Sequence, residues 1–271
     1  MDKASKSLAG KRVVVTRAPE QAGELIRALE LHGAVVFLLP TVGFAPVADM
    51  QELDAAIRGI EEHDWILFTS ANAVRFLCQR CRELGVEPRS LQTAKPLVGT
   101  IGPATAKAAS AEGLRVDYVA KDHGGVSLAR EMADWVAGRS IFLPRSDRAD
   151  GRLPEALRES GAQVTEVVAY RTTIPEALDE NIVSRVRHAD VEAIVFASPS
   201  AFRNLCLFVS AHELAALSKR IQFVAIGSTT ARALREAGIR VDIEARESSP
   251  NGLAEAIINF YQHHASTARL T

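Results

Sequence analysis

The chain has 271 residues, 47% hydrophobic and 24% charged, which is enough apolar material for one large domain or two smaller ones. Its 32 Lys and Arg balance 33 Asp and Glu, so no overall field exists to capture nucleic acid or an anionic membrane, and any anion site must be local. Met1 to Gly10 lacks the apolar run of a signal peptide or membrane helix, and an odd count of three cysteines suggests reduced thiols, so a cytoplasmic protein is expected.

In chain order, strand-length apolar runs alternate with helix-period segments, the pattern of βαβ units and a parallel sheet. A strand is predicted at Arg12 to Thr16, a helix at Gln21 to Leu31, and strands at Ala34 to Leu39 and Trp65 to Thr69. A helix at Ala73 to Leu84 carries Cys78 and Cys81; no second cysteine pair or histidine cluster completes a zinc site, so both thiols are read as small buried hydrophobes and no metal is expected. Next come a strand at Pro96 to Ile101, a helix at Ala104 to Glu112, a short strand at Arg115 to Val119 and a helix at Val126 to Trp135. The second half continues with strands at Ile141 to Pro144, Val164 to Ala169, Ala193 to Ala197 and Phe223 to Ile226, and a short run at Arg240 to Ile243. Helices at Arg152 to Ser160, Thr230 to Glu236 and Gly252 to Tyr261 accompany them. Gly33, Gly113, Gly161 and Gly238 stand where a left-handed residue closes a helix before the next strand.

The chain also repeats itself. Trp65-Ile-Leu-Phe-Thr-Ser-Ala-Asn-Ala73 aligns with Ala193-Ile-Val-Phe-Ala-Ser-Pro-Ser-Ala201, 128 residues on. Val98 to Asp117 aligns with Phe223 to Asp242, 125 residues on, and Val13 to Arg17 matches Ile141 to Arg145 at 128. So long a period means a duplicated α/β domain, because solenoid repeats run to roughly 20 to 50 residues. Two α/β lobes define a cleft, open parallel sheets receive ligands beyond the carboxyl ends of their strands, and the site is therefore expected between the lobes.

Four constellations fall at strand ends. Ser70 and Asn72, with their mates Ser198 and Ser200, are small polar residues suited to capping a helix, and the same helix end can seat an anion. Gly102 with Thr105, and Gly227 with Ser228, Thr229 and Thr230, place a glycine and hydroxyls where backbone N–H groups can hold a carboxylate. Of Arg17, Arg75, Arg145, Arg148, Arg152, Arg171 and Arg203, the repeat mates Arg17 and Arg145 are favoured as carboxylate partners. Tyr170 is a lone tyrosine in the segment Val168 to Thr172, able either to pack its ring or to donate its phenol proton. No GxGxxG follows the first strand and no GxxxxGK occurs, so dinucleotide and P-loop readings lose their main support.

Taken together, the Val-Thr-Arg opening, Phe-Thr-Ser-Ala-Asn-Ala-Val, Val-Ala-Tyr-Arg, Phe-Ala-Ser-Pro-Ser-Ala, Ile-Gly-Ser-Thr-Thr-Ala and Ser249-Pro-Asn-Gly-Leu253 occur in an order that resembles the uroporphyrinogen-III synthases, over about Lys11 to Tyr261. The resemblance implies two flavodoxin-like parallel-sheet lobes joined by a two-stranded β-ladder hinge. One lobe would combine residues 1–40 with 172–265, the other would be 43–169, and 266–271 would form a tail. It further implies a cofactor-free, monomeric lyase whose substrate is hydroxymethylbilane, an octacarboxylate, and whose candidate transient partner is hydroxymethylbilane synthase. By the same resemblance Tyr170 assists departure of the substrate hydroxyl, while Thr229, Ser198 and Ser70 face the substrate. Pro103 and Ala104 stand where the second copy has Ser228 and Thr229, which favours backbone contact at Gly102. Two other readings are a two-lobed small-anion binding protein without catalysis and a nucleotide-sugar enzyme; the latter should show a glycine-rich turn that Val15 to Pro19 lacks.

Overall fold

The computed structural model describes residues 7–121 and 125–267. In chain order its elements are β1 (Arg12–Val15), α1 (Pro19–Leu31), β2 (Val35–Leu38), β3 (Gly43–Ala45), α2 (Gln51–Arg58), β4 (Trp65–Phe68), α3 (Ala71–Glu83) and α4 (Leu91–Ala94). There follow β5 (Leu97–Thr100), α5 (Pro103–Ala111), β6 (Tyr118–Val119), α6 (Gly125–Glu131), α7 (Ala133–Val136), β7 (Ser140–Ser146), α8 (Arg152–Glu159) and β8 (Gln163–Thr173). The last are α9 (Glu180–Arg187), β9 (Ala193–Phe196), α10 (Pro199–Leu205), α11 (Ala211–Leu217), β10 (Gln222–Ala225), α12 (Ser228–Glu236), β11 (Ile243–Glu244) and α13 (Pro250–Thr267).

The chain divides into two compact units, one running up to Gly43 and resuming at Thr173, the other Phe44–Thr172. Among the described residues the strands form two sheets, ordered β11-β10-β9-β1-β2 and β3-β8-β7-β4-β5-β6. The duplication explains both orders. Val13 pairs Ala193 in the first sheet and Ile141 pairs Trp65 in the second, which is the same pairing with each partner moved by 128 residues. Likewise Arg12 opposite Val35 matches Ser140 opposite Gln163, and Val224 opposite Ile243 matches Gly99 opposite Tyr118. Each sheet thus takes its central pair from both halves of the sequence.

Side-chain alternation splits each sheet into two buried faces. In the first unit Val14, Ile194, Phe196 and Phe223 pack on one face, and Val13, Val15, Val195 and Val224 on the other against α1 and α13. In the second, Ile66, Phe68, Val98 and Phe142 oppose Trp65, Leu67, Ile141 and Leu143. Four helices end as expected on glycine in the left-handed region, with φ of 90°, 83°, 84° and 77° at Gly33, Gly113, Gly161 and Gly238.

Some sequence expectations shift. The run Arg115 to Val119 enters the sheet only at Tyr118, because Asp117 first closes on Val98: its N–H donates to the Val98 carbonyl and its Oδ2 accepts the Val98 N–H at 2.9 Å. Asp242 does the same to Phe223 at 3.0 Å, so the repeated Arg-Val-Asp motif is a strand-start clasp. The helix expected at Val126 to Trp135 breaks at Met132 into α6 and α7. Arg145 lies inside β7 rather than after it, since β7 continues beyond a bulge to pair Ser146 with Tyr170. The expected tail 266–271 reaches beyond the described residues at 268.

Cys78 and Cys81 are fully buried on the core face of α3, and Cys206 is half-buried. Burial pushes the Cys78 thiol up to about 12 and Cys81 to about 11, so neither is a thiolate at neutral pH. A disulfide-exchange reagent at pH 8 should label neither until the protein is unfolded, when all three thiols react. Rapid labelling of two or more thiols in the native protein would refute this packing role.

Candidate functional site

Within each sheet the strands of the βαβ units run parallel, so the segments that follow them gather on one edge. In the first unit that edge carries Arg17 after β1, Thr41 after β2, Ser198 after β9 and Gly227 after β10. In the second it carries Ser70 after β4 and Gly102 after β5, with Arg145 and Tyr170 near the ends of β7 and β8.

Ser70 is held extended at φ −160°, ψ 151°, and its Oγ accepts the Ala73 N–H at 3.0 Å, capping α3. The same Oγ lies 3.1 Å from the Tyr170 hydroxyl, a pair 100 residues apart in sequence. Tyr170 is only 5% exposed. Its ring stacks on Phe76 at 5.2 Å and 10° and meets Phe44 edge-on at 5.7 Å. The phenol oxygen is therefore fixed on the N-terminal end of a thirteen-residue helix, where the backbone dipole favours negative charge. Asn72, two residues into the same helix turn, is buried.

The repeat mate of Ser70 behaves alike. Ser198, at φ −165°, ψ 158°, accepts the Ala201 N–H at 3.1 Å and also meets Ser200 Oγ at 2.9 Å. The mate of Tyr170, however, is Val42, packed against the core of the first unit. At this position a phenol thus stands in the second unit only.

Gly102 and Gly227 precede α5 and α12 at φ 172° and 171°, an extended geometry open to any residue. Crowding constrains Gly227, because a Cβ there would come within 2.5 Å of Ser248 Oγ. Thr105 and Thr230, third in their helices, are buried, whereas Ser228 and Thr229 are exposed. The latter two line a pocket of about 380 Å³ with Arg232, Arg235 and Glu236. The N-terminus of α12 carries no side-chain cap.

The two favoured arginines part ways. Arg145 is 7% exposed, and its Nη1 donates to Glu166 Oε2 at 2.7 Å while Nη2 donates to the Asp150 carbonyl. Its fork is consumed inside the unit. Among the described residues Arg17 Nε donates to Gln21 Oε1 at 3.5 Å, and its buried Nη1 has no partner.

Sequence reasoning missed the group that stiffens the first unit's edge. Thr41, fully buried, donates from Oγ1 to the Ala201 carbonyl at 2.9 Å, and Asn204 Nδ2 donates to the Thr41 carbonyl at 2.7 Å. Nothing local marks them, as they lie about 160 residues apart; only the polar character of Asn204 inside an apolar helix face hinted at a buried partner. Among the described residues no set of His, Cys, Asp and Glu is placed to hold a metal ion, and no helix is long and apolar enough to cross a membrane.

Fold and site define a duplicated α/β protein in each of whose units a mostly parallel sheet leads into a serine-capped helix, α10 in the first and α3 in the second. The family described as uroporphyrinogen-III synthase HemD matches residues 23–255, and the chain belongs to that family. It is accordingly a cyclising lyase of tetrapyrrole biosynthesis. The uroporphyrinogen-III synthase of Synechococcus elongatus is 32% identical over 259 residues, covering 94% of this chain and 97% of the relative. A putative uroporphyrinogen-III synthase of Methanothermobacter thermautotrophicus is 34% identical over 84% of this chain and 90% of its own length. The fold is that of the solved uroporphyrinogen-III synthetase of Helicobacter pylori, with a TM-score of 0.61 at 18% identity over 92% of this chain and 99% of that one. A mutant form of the Thermus thermophilus uroporphyrinogen III synthase gives 0.57 at 20% identity over 94% of this chain and all of that one.

Arg145→Met should lower unfolding stability by roughly 1–3 kcal/mol, since it removes a buried guanidinium together with its bonds to Glu166 and the Asp150 carbonyl. Ser70→Ala should cost about 1 kcal/mol through the lost cap. Chemical denaturation of each variant checks both; unchanged midpoints would show that neither bond holds the edge.

Proposed function

We propose that this chain converts hydroxymethylbilane to uroporphyrinogen III, with loss of water and inversion of the last pyrrole, working in the cytoplasm as a monomer and without a cofactor. The observation that carries the reading is the Tyr170–Ser70 hydroxyl pair on the N-terminus of α3. Ser70 Oγ already accepts from Ala73; if it donates its own proton to Tyr170, the phenol proton is free for a ligand. The chemistry asks for one such donor. The terminal hydroxyl of the substrate leaves as water on taking a proton, and the azafulvene cation left behind is attacked by the far pyrrole at its substituted carbon. The spiro intermediate fragments and closes at the other carbon, and the final loss of a pyrrole proton returns what the donor gave. Pyrrole supplies the electrons throughout, so the protein's task is to hold the carboxylates and delay direct closure. Backbone N–H groups at α3, α5, α10 and α12, with the hydroxyls of Ser70, Ser198, Ser228 and Thr229, are the groups we assign to that task.

The decisive experiment supplies freshly made hydroxymethylbilane and resolves the product isomers. The type III isomer is expected; only the unrearranged type I isomer would favour a binding protein without catalysis. Tyr170→Phe keeps the aromatic stack and should lower kcat by about tenfold to 100-fold, the low end of general-acid assistance, with product binding nearly intact. Full turnover in Tyr170→Phe would reduce the tyrosine to packing. Thr229→Ala should weaken binding and turnover together, because a donor to a carboxylate acts in both ground and transition states; an unaltered kcat/KM would remove Thr229 from the site.

A further inference from the structure

The duplication makes one asymmetry informative. Arg17 and Arg145 are repeat mates, and the strands beside them keep one register: Val15 lies opposite Leu38 in the first sheet as Leu143 lies opposite Glu166 in the second. In the second unit Glu166 takes the Arg145 guanidinium at 2.7 Å and neutralises it. In the first unit the same place holds Leu38, whose aliphatic side chain accepts nothing. Among the described residues the buried Nη1 of Arg17 has no hydrogen-bond partner, although Glu24 on α1 acts on it electrostatically. Burial drives its pKa below the usual arginine value, the sign of a cation held partly out of water without a matching anion. Such a group destabilises the free protein unless something completes it.

We propose that Arg17 is the carboxylate-holding residue of the first unit, freed for a ligand because Leu38 replaces the acid that neutralises its repeat mate. Its position suits the role. It follows β1, which lies between β9 and β2 in the sheet, so Ser198 and Thr41 end on the same edge. A planar guanidinium fork engages a carboxylate through two parallel N–H bonds, which a lysine cannot reproduce. The substrate class is a polycarboxylate, and the ligand contributes one acetate or propionate arm where Glu166 contributes its own in the second unit. This rests on the tetrapyrrole reading above, and it assigns Arg17 to binding rather than to proton transfer.

The test measures initial rates with hydroxymethylbilane and, separately, binding of uroporphyrin, an octacarboxylate macrocycle, by fluorescence. Arg17→Gln should raise KM and weaken uroporphyrin binding by roughly tenfold to 100-fold with kcat within about threefold, the pattern of lost uniform binding. Arg17→Lys should recover part of the loss. Leu38→Glu should reproduce the Arg17→Gln effect by giving Arg17 an internal partner, with an unfolding midpoint no lower than that of the parent. A folded Arg17→Gln with KM and uroporphyrin affinity within twofold of the parent overturns the proposal. So does a fall in kcat and thermal midpoint with affinity unchanged, which would make Arg17 structural. If the parent protein forms no type III isomer, the functional reading fails, and uroporphyrin binding alone still decides the role of Arg17.

Discussion

The structure depends on one pairing used twice: a strand from the first half of the chain against a strand from the second, β1 on β9 and β7 on β4, in a single register. Val13, Val14 and Val15 are buried on both faces of their sheet, as are Ile141, Phe142 and Leu143 of the other, so neither half of the chain can bury its central strand alone. The first unit is therefore completed by residues 180 positions apart in the chain, Val13 and Ala193, and the second by Trp65 and Ile141, 76 apart, and the polypeptide has to pass between the units twice, at Gly43 and Thr173. Loop-closure entropy makes such long-range pairing costly to form, and the fully apolar central strands are what offset it.

That arrangement also dictates where chemistry can occur. Strands from both repeats run parallel, so every motif following a strand reaches the same edge of its sheet, with its helix directed away and the free N–H groups outward. Ser70 and Ser198 show how little the backbone distinguishes the copies, with caps of 3.0 and 3.1 Å at nearly identical torsions. The copies differ in their side chains. Tyr170 faces Ser70 where Val42 stands in the other copy, and Glu166 closes on Arg145 where Leu38 leaves Arg17 open. A duplicated scaffold has kept its geometry while the side chains at matching places have diverged.

Polar residues that repeat are not thereby functional. Asp117 and Asp242 occupy matching places in a conspicuous repeated motif, yet each accepts the N–H of the second residue of the neighbouring strand, at 2.9 and 3.0 Å. Cys78 and Cys81 look like a metal or redox pair in sequence and are core residues of α3. A backbone hydrogen bond accounts for each aspartate and burial for each cysteine, and no ligand is needed to explain them.

The sequence alone determined the parallel α/β character, the duplication, most strands to within a residue or two, the glycine helix stops and the polar residues at strand ends. Those are local properties: apolar runs of strand length, helical periodicity, caps and φ > 0 positions need only a few consecutive residues to be legible. The bridge from Tyr170 to Ser70, the Thr41–Asn204 bonds and the contrasting environments of Arg17 and Arg145 were decided by tertiary structure. Each is a contact between residues 20 to 160 positions apart or the lack of one. Whether a guanidinium meets a carboxylate or a leucine is set by strand register, and register is a property of two chain segments at once, which no single stretch of sequence carries.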